Sequence, residues 1–261
     1  MGDFIREARL VRGPRRPLGR HYHEEYALAV VHSGESDAWA FGGRRRVAEG
    51  DIVLVPPFLP HACNPDPGPA WSYSLFMLAP PWVESTLAWA RAPEGILTAR
   101  APRREPRTPL AAGPETLVRD SLALLAAAAA AVVPGGAVPG IRGDAAADPG
   151  LLAAKSLMES RPWRKLTLDE LAEASGLSKY RFIAAFKAAF GLSPHAYLLN
   201  ERVNRAKRLL ADGVKPAEAA LECGFCDQSH LSRVCSRLSG STPKEAAKAR
   251  PQADVGARRP S

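Results

Sequence analysis

The sequence has few of the features that mark a secreted or membrane-bound protein. Its 261 residues contain four cysteines, and Cys63 is far from the others in the sequence. This differs from the closely spaced cysteines that form the disulfides of small secreted domains. The start, MGDFIREARLVRG, is charged throughout and has no apolar stretch of a signal peptide. The longest apolar run, residues 122–133, is shorter than the roughly 18–20 residues of a membrane span. We therefore expect a cytoplasmic protein without a membrane partner.

Lysine is missing from the whole first part of the chain. All eight lysines lie after residue 150, where lysine and arginine outnumber aspartate and glutamate by 19 to 11. Residues 1–150 carry 16 charges of each sign, so the net charge of +8 belongs entirely to the C-terminal part. A basic domain joined to a neutral one favours a half that binds a polyanion and a half with another task.

Residues 20–80 have the pattern of a small antiparallel β domain. Short apolar and aromatic segments alternate with glycine and proline, including a turn at Gly42–Gly43 and the pair Pro56–Pro57. This spacing predicts an antiparallel sandwich or barrel. Residues 81–133 change to a helical pattern. The Gly-, Pro- and Ala-rich residues 134–150 predict a flexible linker between two domains.

The part after residue 150 is helical and repeats itself. ELAEASGLSKYRFIAAFKAAFGLSP aligns with EAALECGFCDQSHLSRVCSRLSGSTP. The matched pairs are Gly176 with Gly224, Phe182 with Leu231, Gly191 with Gly240, and Pro194 with Pro243. Each copy predicts a helix, a tight turn at glycine and a second helix, which is a helix-turn-helix unit used twice. The segment between the copies has no proline or glycine from His195 to Asp212, so it predicts one continuous connecting helix.

The second copy contains CGFCDQSHLSRVC, which has the C-x-x-C spacing of a zinc site. The repeat argues against a metal there, because Cys223 aligns with Ser175 and Cys235 aligns with Phe186. A free cysteine behaves as a small hydrophobic residue and fits such core positions. Zinc would need four converging ligands. We therefore interpret this stretch as part of the second helix-turn-helix unit.

The two units and their connector resemble the DNA-binding domain of AraC-type transcriptional regulators. The residues that carry the resemblance are Ala172, Gly176, Phe182, Phe186, Gly191, Pro194, Tyr197, Arg202, Ala206 and Leu210 in the first half, and Ala219, Gly224, Phe225, Asp227, Ser229, Leu231, Ser232, Arg233, Gly240, Thr242 and Pro243 in the second. The resemblance implies a sequence-specific DNA-binding regulator that responds to a small-molecule effector. Its implied partners are double-stranded DNA, RNA polymerase and a second copy of the chain, and it implies no cofactor.

The resemblance also implies domain bounds and an α+β multidomain fold. Residues 1–133 would form an antiparallel β-barrel, a cupin-like jelly roll with flanking helices, for effector binding and dimerisation. Residues 134–150 would be the flexible linker, and residues 151–250 the all-α DNA-binding domain with its two helix-turn-helix units. We expect residues 251–261 to form a disordered tail.

The second helix of each unit is expected to enter a major groove of the DNA. By the resemblance, the expected contacts are Lys179, Tyr180 and Arg181 in the first unit and Gln228, Ser229, His230 and Arg233 in the second. Arginine can pair with guanine and glutamine with adenine, whereas Lys179 and Ser229 are expected to contact phosphates. Ile183 and Ala184 stand where the family usually has polar groups, so we expect the first unit to make fewer and more apolar contacts to bases.

The N-terminal half resembles the cupin-type effector domain of such regulators. His21 and His23 share one face of a strand, and His61 follows in the second motif. The expected effector pocket comprises His21, His23, Trp39, His61 and Tyr73. The three histidines could alternatively bind a divalent metal, but Ala27 and Leu28 occupy the positions where metal-binding cupins have a glutamate.

The sequence leaves three functional classes open. The first is an effector-responsive transcription factor, and the second is a metal-dependent cupin enzyme attached to a DNA-binding domain. The third is an architectural DNA-binding protein without a ligand. The missing glutamate, together with the lack of a catalytic triad, phosphate loop or acid pair, favours the regulator and predicts no catalytic residues.

Overall fold

The computed structural model describes residues 4–12, 18–40, 43–66, 71–86, 97–100, 113–131 and 148–243. The strands are β1 (Ile5–Arg12), β2 (Tyr26–Ser33), β3 (Glu35–Ala40), β4 (Gly43–Ala48), β5 (Asp51–Val55), β6 (His61–Pro65), β7 (Ser72–Leu78) and β8 (Leu97–Arg100). The helices are α1 (Pro80–Thr86), α2 (Pro114–Ala131), α3 (Pro149–Ser160), α4 (Leu168–Ser175), α5 (Lys179–Phe190), α6 (Pro194–Ala211), α7 (Pro216–Glu222) and α8 (Gln228–Ser239).

The N-terminal half consists of two antiparallel sheets. One sheet has the strand order β1-β7-β2-β5-β8, and the other has the order β4-β3-β6. The predicted antiparallel β domain is therefore confirmed, but the closed barrel is wrong. In the described residues the sheets are not joined by a continuous ladder, and a single bridge between His21 and His61 links the segment before β2 to β6. The chain passes from β2 in one sheet to β3 in the other through the turn at Gly34. Such turns add no hydrogen bonds between the strands of the two sheets.

Strand β2 shows why its sequence, YALAVV, lacks a polar face. Ala27 and Val31 point into the core between the two sheets, while Leu28 packs with Val118 and Leu122 of α2 on the opposite face. Because successive side chains alternate between faces, a strand covered on both sides is apolar at every position. The five-stranded sheet is thus a middle layer between the three-stranded sheet and the helices.

The C-terminal half is helical, as expected, and its helix ends follow the sequence signals. Thr167 and Glu170 form a capping box at the start of α4. Gly176, Gly191 and Gly240 end α4, α5 and α8 in the left-handed conformation. The connecting helix α6 is continuous, as predicted.

Helix α6 belongs to two cores at once. Its Leu198 packs in a cluster with α3, α4 and α5, while Leu199 and Val203 pack in a second cluster with α7 and α8. Arg202 on α6 donates hydrogen bonds to three backbone carbonyls. Its partners are Pro162 at 2.7 Å, Gly224 at 2.9 Å and Arg164 at 3.0 Å. One guanidinium therefore joins the loop before α4 to the turn between α7 and α8.

The two halves are in direct contact. Tyr22 comes from the N-terminal half, yet its side chain is buried in the cluster of α3, α4, α5 and α6. The side chain of Asn200 accepts a hydrogen bond from the Tyr22 N–H at 3.1 Å and donates one to the Tyr22 carbonyl at 2.9 Å. The Tyr22 hydroxyl donates to Glu201, and Glu24 forms an ion pair with Arg208. Most of the predicted linker and the predicted tail at 251–261 lie outside the described residues.

In the described part of the chain, one bent pair of helices is the weak candidate for a membrane span. No single helix there is long and apolar enough to cross a membrane, while α5 and α6 meet the length and composition test only as a pair bent by 54°.

We predict that Gly224→Ala destabilises the protein more than Gly176→Ala. Both glycines have positive φ, so each alanine variant should lose about 1–2 kcal/mol of unfolding free energy. At Gly224 a Cβ would lie 2.5 Å from the Trp163 carbonyl oxygen, whereas nothing lies within 4 Å at Gly176. Overpacking should add about 1–3 kcal/mol for Gly224→Ala. Urea unfolding of both variants measures the difference, and equal losses would contradict the packing described here.

Candidate functional site

Three buried histidines meet where the two sheets come together. The ring centroid of His61 lies 4.4 Å from that of His21 and 4.7 Å from that of His23. Each ring is held by a hydrogen bond from Nδ1 to a backbone carbonyl two residues away, at Gly19, Glu25 and Leu59 respectively. Because a carbonyl oxygen can only accept, each Nδ1 carries the proton and each Nε2 is left as an acceptor.

The histidines are neutral in the folded protein. Burial lowers the pKa of His21 and of His23 well below the usual value, and the nearby His61 adds to both shifts. Burial also lowers the pKa of His61, to about 4. Three neutral imidazoles with fixed tautomers form a set of hydrogen-bond acceptors in an apolar setting.

The histidines line a cavity between the sheets that holds about 90 Å³. Most of its wall is apolar and comes from the inner faces of both sheets. Its lining residues are Glu7, Arg9, Leu18, His21, His23, Ala27, Ala29, Val31, Ala38, Val47, Val53, Val55, His61, Cys63, Trp71, Tyr73, Leu75, Met77, Lys207 and Ser239. Tyr73 is thus part of the wall. Trp39 is not, because Ala38 and Ala40 occupy the core face of β3, and on the opposite face the Trp39 ring lies beneath the guanidinium of Arg20 at 3.9 Å.

The helical half closes one end of this cavity. Lys207 of α6 and Ser239 of α8 belong to its wall, and the same two residues border an adjoining interdomain cleft of about 160 Å³. Arg9 of β1 lies beside them and donates a hydrogen bond to the Ser239 carbonyl at 2.7 Å. The buried Arg9 Nη1 has no hydrogen-bond partner among the described residues. The cavity therefore has an apolar body and a polar end, where Arg9 and Lys207 lie together with Glu7, whose carboxylate is 3.3 Å from the Arg9 guanidinium.

The histidine cluster does not fit a resident divalent metal. No group of three or more His, Cys, Asp or Glu side chains in the described ranges is arranged to hold a metal ion. Arg9 and Lys207 lie close enough that their positive charge contributes to the lowered pKa of His21. A metal cation would face the same repulsion, and the sequence has Ala27 and Leu28 at the positions where metal-binding cupins have a glutamate.

The expected DNA contacts of the first unit lie at the exposed start of α5. Ser178 precedes the helix, and Lys179, Tyr180 and Arg181 form its first turn. All three side chains are exposed, and Tyr180 reaches 88% exposure although it is a large aromatic residue. Lys179 forms an ion pair with Asp169 at 2.5 Å. The start of α5 is therefore an accessible surface on which Lys179 and Arg181 lie beside Tyr180.

In the second unit, α8 begins with the side chain of Asp227 accepting a hydrogen bond from the His230 N–H at 2.7 Å. Gln228, Ser229 and Arg233 are exposed, whereas His230 is half-buried with its ring edge against Phe225 at 5.3 Å. The expected contact residues therefore share one end of the helix, and the ring of His230 is fixed by the core.

The cysteines of the second unit occupy different environments. Cys223 and Cys235 are buried in the cluster of α6, α7 and α8, and burial raises the pKa of each thiol to about 11. Cys226 is exposed in the turn before α8. Two of the three are therefore core residues, as the alignment of the repeats indicated.

Sequence reasoning missed the residues that the helical half adds to the cavity. Lys207 and Ser239 are more than 130 positions from the histidines, and nothing in their local sequence connects them. One signal was available in the motif HYH. If His21 and His23 face inward on an extended segment, Tyr22 has to face outward, and a large aromatic residue there indicates a partner surface.

Two protein families match this sequence. The family described as a helix-turn-helix domain matches residues 171–249, and the one described as an AraC-like ligand binding domain matches residues 6–130. A relative named as the uncharacterized HTH-type transcriptional regulator YbfI of Bacillus subtilis is 40% identical over 74 residues, which are 28% of this chain and 27% of YbfI. The probable transcriptional regulator LumQ of Photobacterium leiognathi is 37% identical over 87 residues, 33% of this chain and 35% of LumQ. The matches thus span about a third of these relatives.

Solved structures share the arrangement of both halves. The unsaturated fatty acid bound form of ToxT from Vibrio cholerae has a TM-score of 0.58 at 11% identity, covering 96% of each chain. A second ToxT structure, from Vibrio cholerae O395, has a TM-score of 0.57 at 12% identity and covers 95% of this chain and 98% of its own. At such identity the similarity concerns the fold alone. It is the fold of an N-terminal domain of antiparallel sheets followed by a helical domain.

We predict that the buried histidines make the protein less stable in mild acid. Above pH 6.5 they are neutral in both the folded and unfolded states, so they cause no pH dependence. As the pH falls from 6.5 toward 4, the unfolded chain binds protons that the folded His61 does not. Each such group should lower the free energy of unfolding by about 1.4 kcal/mol per pH unit.

The measurement is urea unfolding between pH 8 and pH 4 for the wild type and for His61→Gln. The variant should show a shallower loss of stability with acid. His195→Gln, at an exposed histidine on α6, is the matched control for removing one histidine outside the cavity. An unchanged slope in His61→Gln would contradict a neutral buried His61.

Proposed function

We propose that this chain, which belongs to the AraC-type family of transcriptional regulators, binds specific duplex DNA through α5 and α8. We further propose that a small-molecule effector in the cavity between the sheets controls this binding. The observation that carries the proposal is the pairing of two exposed helix starts, at Lys179 and at Gln228, in one basic helical half.

In this proposal the pairs α4–α5 and α7–α8 are two helix-turn-helix units, and α5 and α8 are their recognition helices. Helix α6 has 18 residues and is about 27 Å long at 1.5 Å per residue. It is part of both cores, so it holds the two units as a rigid pair. Major-groove segments on one side of a duplex recur about every 34 Å. One chain would therefore read two adjacent segments on the same side of the DNA.

The recognition helices would divide their contacts by chemistry. Arg233 can donate two hydrogen bonds to guanine, and Gln228 can bind adenine. Ser229 and Lys179 would contact phosphates, with Lys179 exchanging its ion pair with Asp169 for the DNA backbone. Tyr180, Arg181 and the fixed ring of His230 would complete the surface.

The effector site would comprise His21, His23, His61 and Tyr73 with the apolar wall around them. The cavity of about 90 Å³ is smaller than the roughly 300–1,000 Å³ of typical small-molecule pockets. An effector of ordinary size has to displace its surroundings, and Lys207 and Ser239 at the end of the cavity belong to the DNA-binding half. Effector binding would thus alter the contact between the halves. A matching ligand has an apolar body and a polar group that pairs with the histidines or with Arg9.

Binding-site selection from a pool of random duplexes, with the full-length protein, tests the proposal. We expect enrichment of an asymmetric site about two helical turns long, because the two recognition helices differ in sequence. The selection is then repeated with a panel of small apolar acids and alcohols added. An effector should change the affinity for the enriched duplex. Failure to enrich any sequence would refute sequence-specific DNA binding. Dimerisation through α2 and contact with RNA polymerase remain predictions.

We predict that Arg233→Ala changes the preferred base at one position of the enriched site, whereas Lys179→Ala weakens all sequences alike. Loss of a two-bond contact to guanine should cost about 1–3 kcal/mol at that base pair. Loss of a phosphate contact carries no sequence information. Titration of the enriched duplex and its single-base variants measures both effects. Equal losses on the enriched and the random duplex for Arg233→Ala would mean that Arg233 contacts only phosphate.

We also predict that inserting five base pairs between the two subsites abolishes the contact of one unit. Half a helical turn moves one subsite to the opposite side of the duplex, and α6 has no break that could follow it. Inserting five base pairs outside the two subsites is the matched control, since it leaves their spacing and their facing unchanged. Footprinting should show a shortened protected region with the half-turn insertion. An unchanged footprint would contradict the rigid connection of the two units.

A further inference from the structure

A cationic cleft runs along α6 and α8 and reaches the N-terminal half at Arg20. It consists of two adjoining hollows of about 450 Å³ and about 1,030 Å³ that share His195, Leu199 and Arg237. The first hollow also includes Arg20 and Lys187, and the second includes Arg233. We call the two hollows together the cationic cleft.

Every ionisable residue that lines the cationic cleft is basic. No Asp or Glu occurs among the described residues of either lining. Arg20, Lys187, His195 and Arg237 are exposed, and none of them forms an ion pair with an acid in the described ranges. A concave surface with charges of one sign and no internal neutralisation attracts a polyanion.

Arg20 is the member of the cleft that comes from the N-terminal half. Its guanidinium lies over the ring of Trp39 at 3.9 Å, which restricts its position by a cation–π interaction. The preceding Gly19 donates its N–H to the Arg237 carbonyl at 3.0 Å, at the end of α8. Arg20 is thus held beside the second recognition helix although it is 217 positions away in the sequence.

The cleft continues the surfaces expected to contact DNA. Arg237 follows Arg233 by one helical turn on α8, so both belong to one stripe of the helix. Lys187 is on α5, the other recognition helix. When two recognition helices occupy adjacent major grooves, the minor groove and its two rows of phosphates pass between them. The protein surface between the helices therefore faces phosphates.

We propose that the cationic cleft binds the phosphate backbone between the two major-groove segments, and that Arg20 is a DNA contact supplied by the N-terminal half. The inference rests on the proposed DNA-binding function. It adds that DNA affinity depends on the two halves staying together. Arg20 precedes His21 of the cavity, so a ligand that shifts His21 shifts a phosphate contact with it.

The test compares the full-length wild type with Arg20→Ala, Arg20→Lys and Arg12→Ala on a random-sequence duplex of about 40 base pairs. Phosphate contacts are measured as the slope of log affinity against log salt, which changes by about 0.9 for each contact. Arg20→Ala should lose about 0.9 of the slope and bind several-fold more weakly. Arg20→Lys should keep the slope. Arg12 is exposed at the end of β1 and lines neither hollow, so Arg12→Ala is the control for net charge and should match the wild type.

A wild-type slope in Arg20→Ala would overturn the proposal. So would an equal loss in Arg12→Ala, because it would show an effect of net charge alone. In both cases the proposed function stands if Arg233→Ala still changes base preference on the enriched duplex. Absence of salt-dependent binding by the wild type would instead refute DNA binding itself. Circular dichroism of each variant confirms that it is folded before its slope is interpreted.

Discussion

The buried amide of Asn200 is the interaction on which the arrangement of the whole protein depends. It forms two hydrogen bonds to the backbone of Tyr22 and so joins α6 to the segment before β2. Asn200 and Tyr22 are both almost fully buried, so breaking this pair would leave polar groups without partners, at a cost of about 1–3 kcal/mol for each. The two halves therefore meet through a defined contact, and a flexible tether alone does not describe their relation.

This contact brings residues of a cleft, a cavity and a core together on one short segment. Residues 19–23 carry Arg20 in the cationic cleft, His21 and His23 in the cavity, and Tyr22 in the helical core. Because side chains of an extended segment alternate, neighbouring residues face opposite sides and belong to different sites. A displacement of the segment by a ligand would act on all of them together. Coupling of this kind requires only that the segment has two packed arrangements between which the ligand discriminates. It does not require a chain of contacts across the protein.

Helix α6 fixes the relative positions of the elements within the helical half. Its leucines belong to both cores, Arg202 joins the two units through backbone carbonyls, and Lys207 closes the cavity. The spacing of the two units is therefore as rigid as the helix itself. Polar residues of α6 form the junction with the N-terminal half: Asn200 and Glu201 bind Tyr22, and Arg208 pairs with Glu24.

The sequence by itself determined the features that depend on neighbouring residues. Helix starts and ends followed capping residues such as Thr167 and glycines such as Gly176, the repeat revealed the two helix pairs, and the charge distribution marked the basic half. Tertiary structure alone decided that the sheets remain separate rather than closing into a barrel, that Trp39 supports Arg20 instead of lining the cavity, and that Lys207 and Ser239 complete it. These outcomes depend on contacts between residues far apart in the chain. Local patterns encode which face of an element is apolar, but they do not encode which distant surface will cover it.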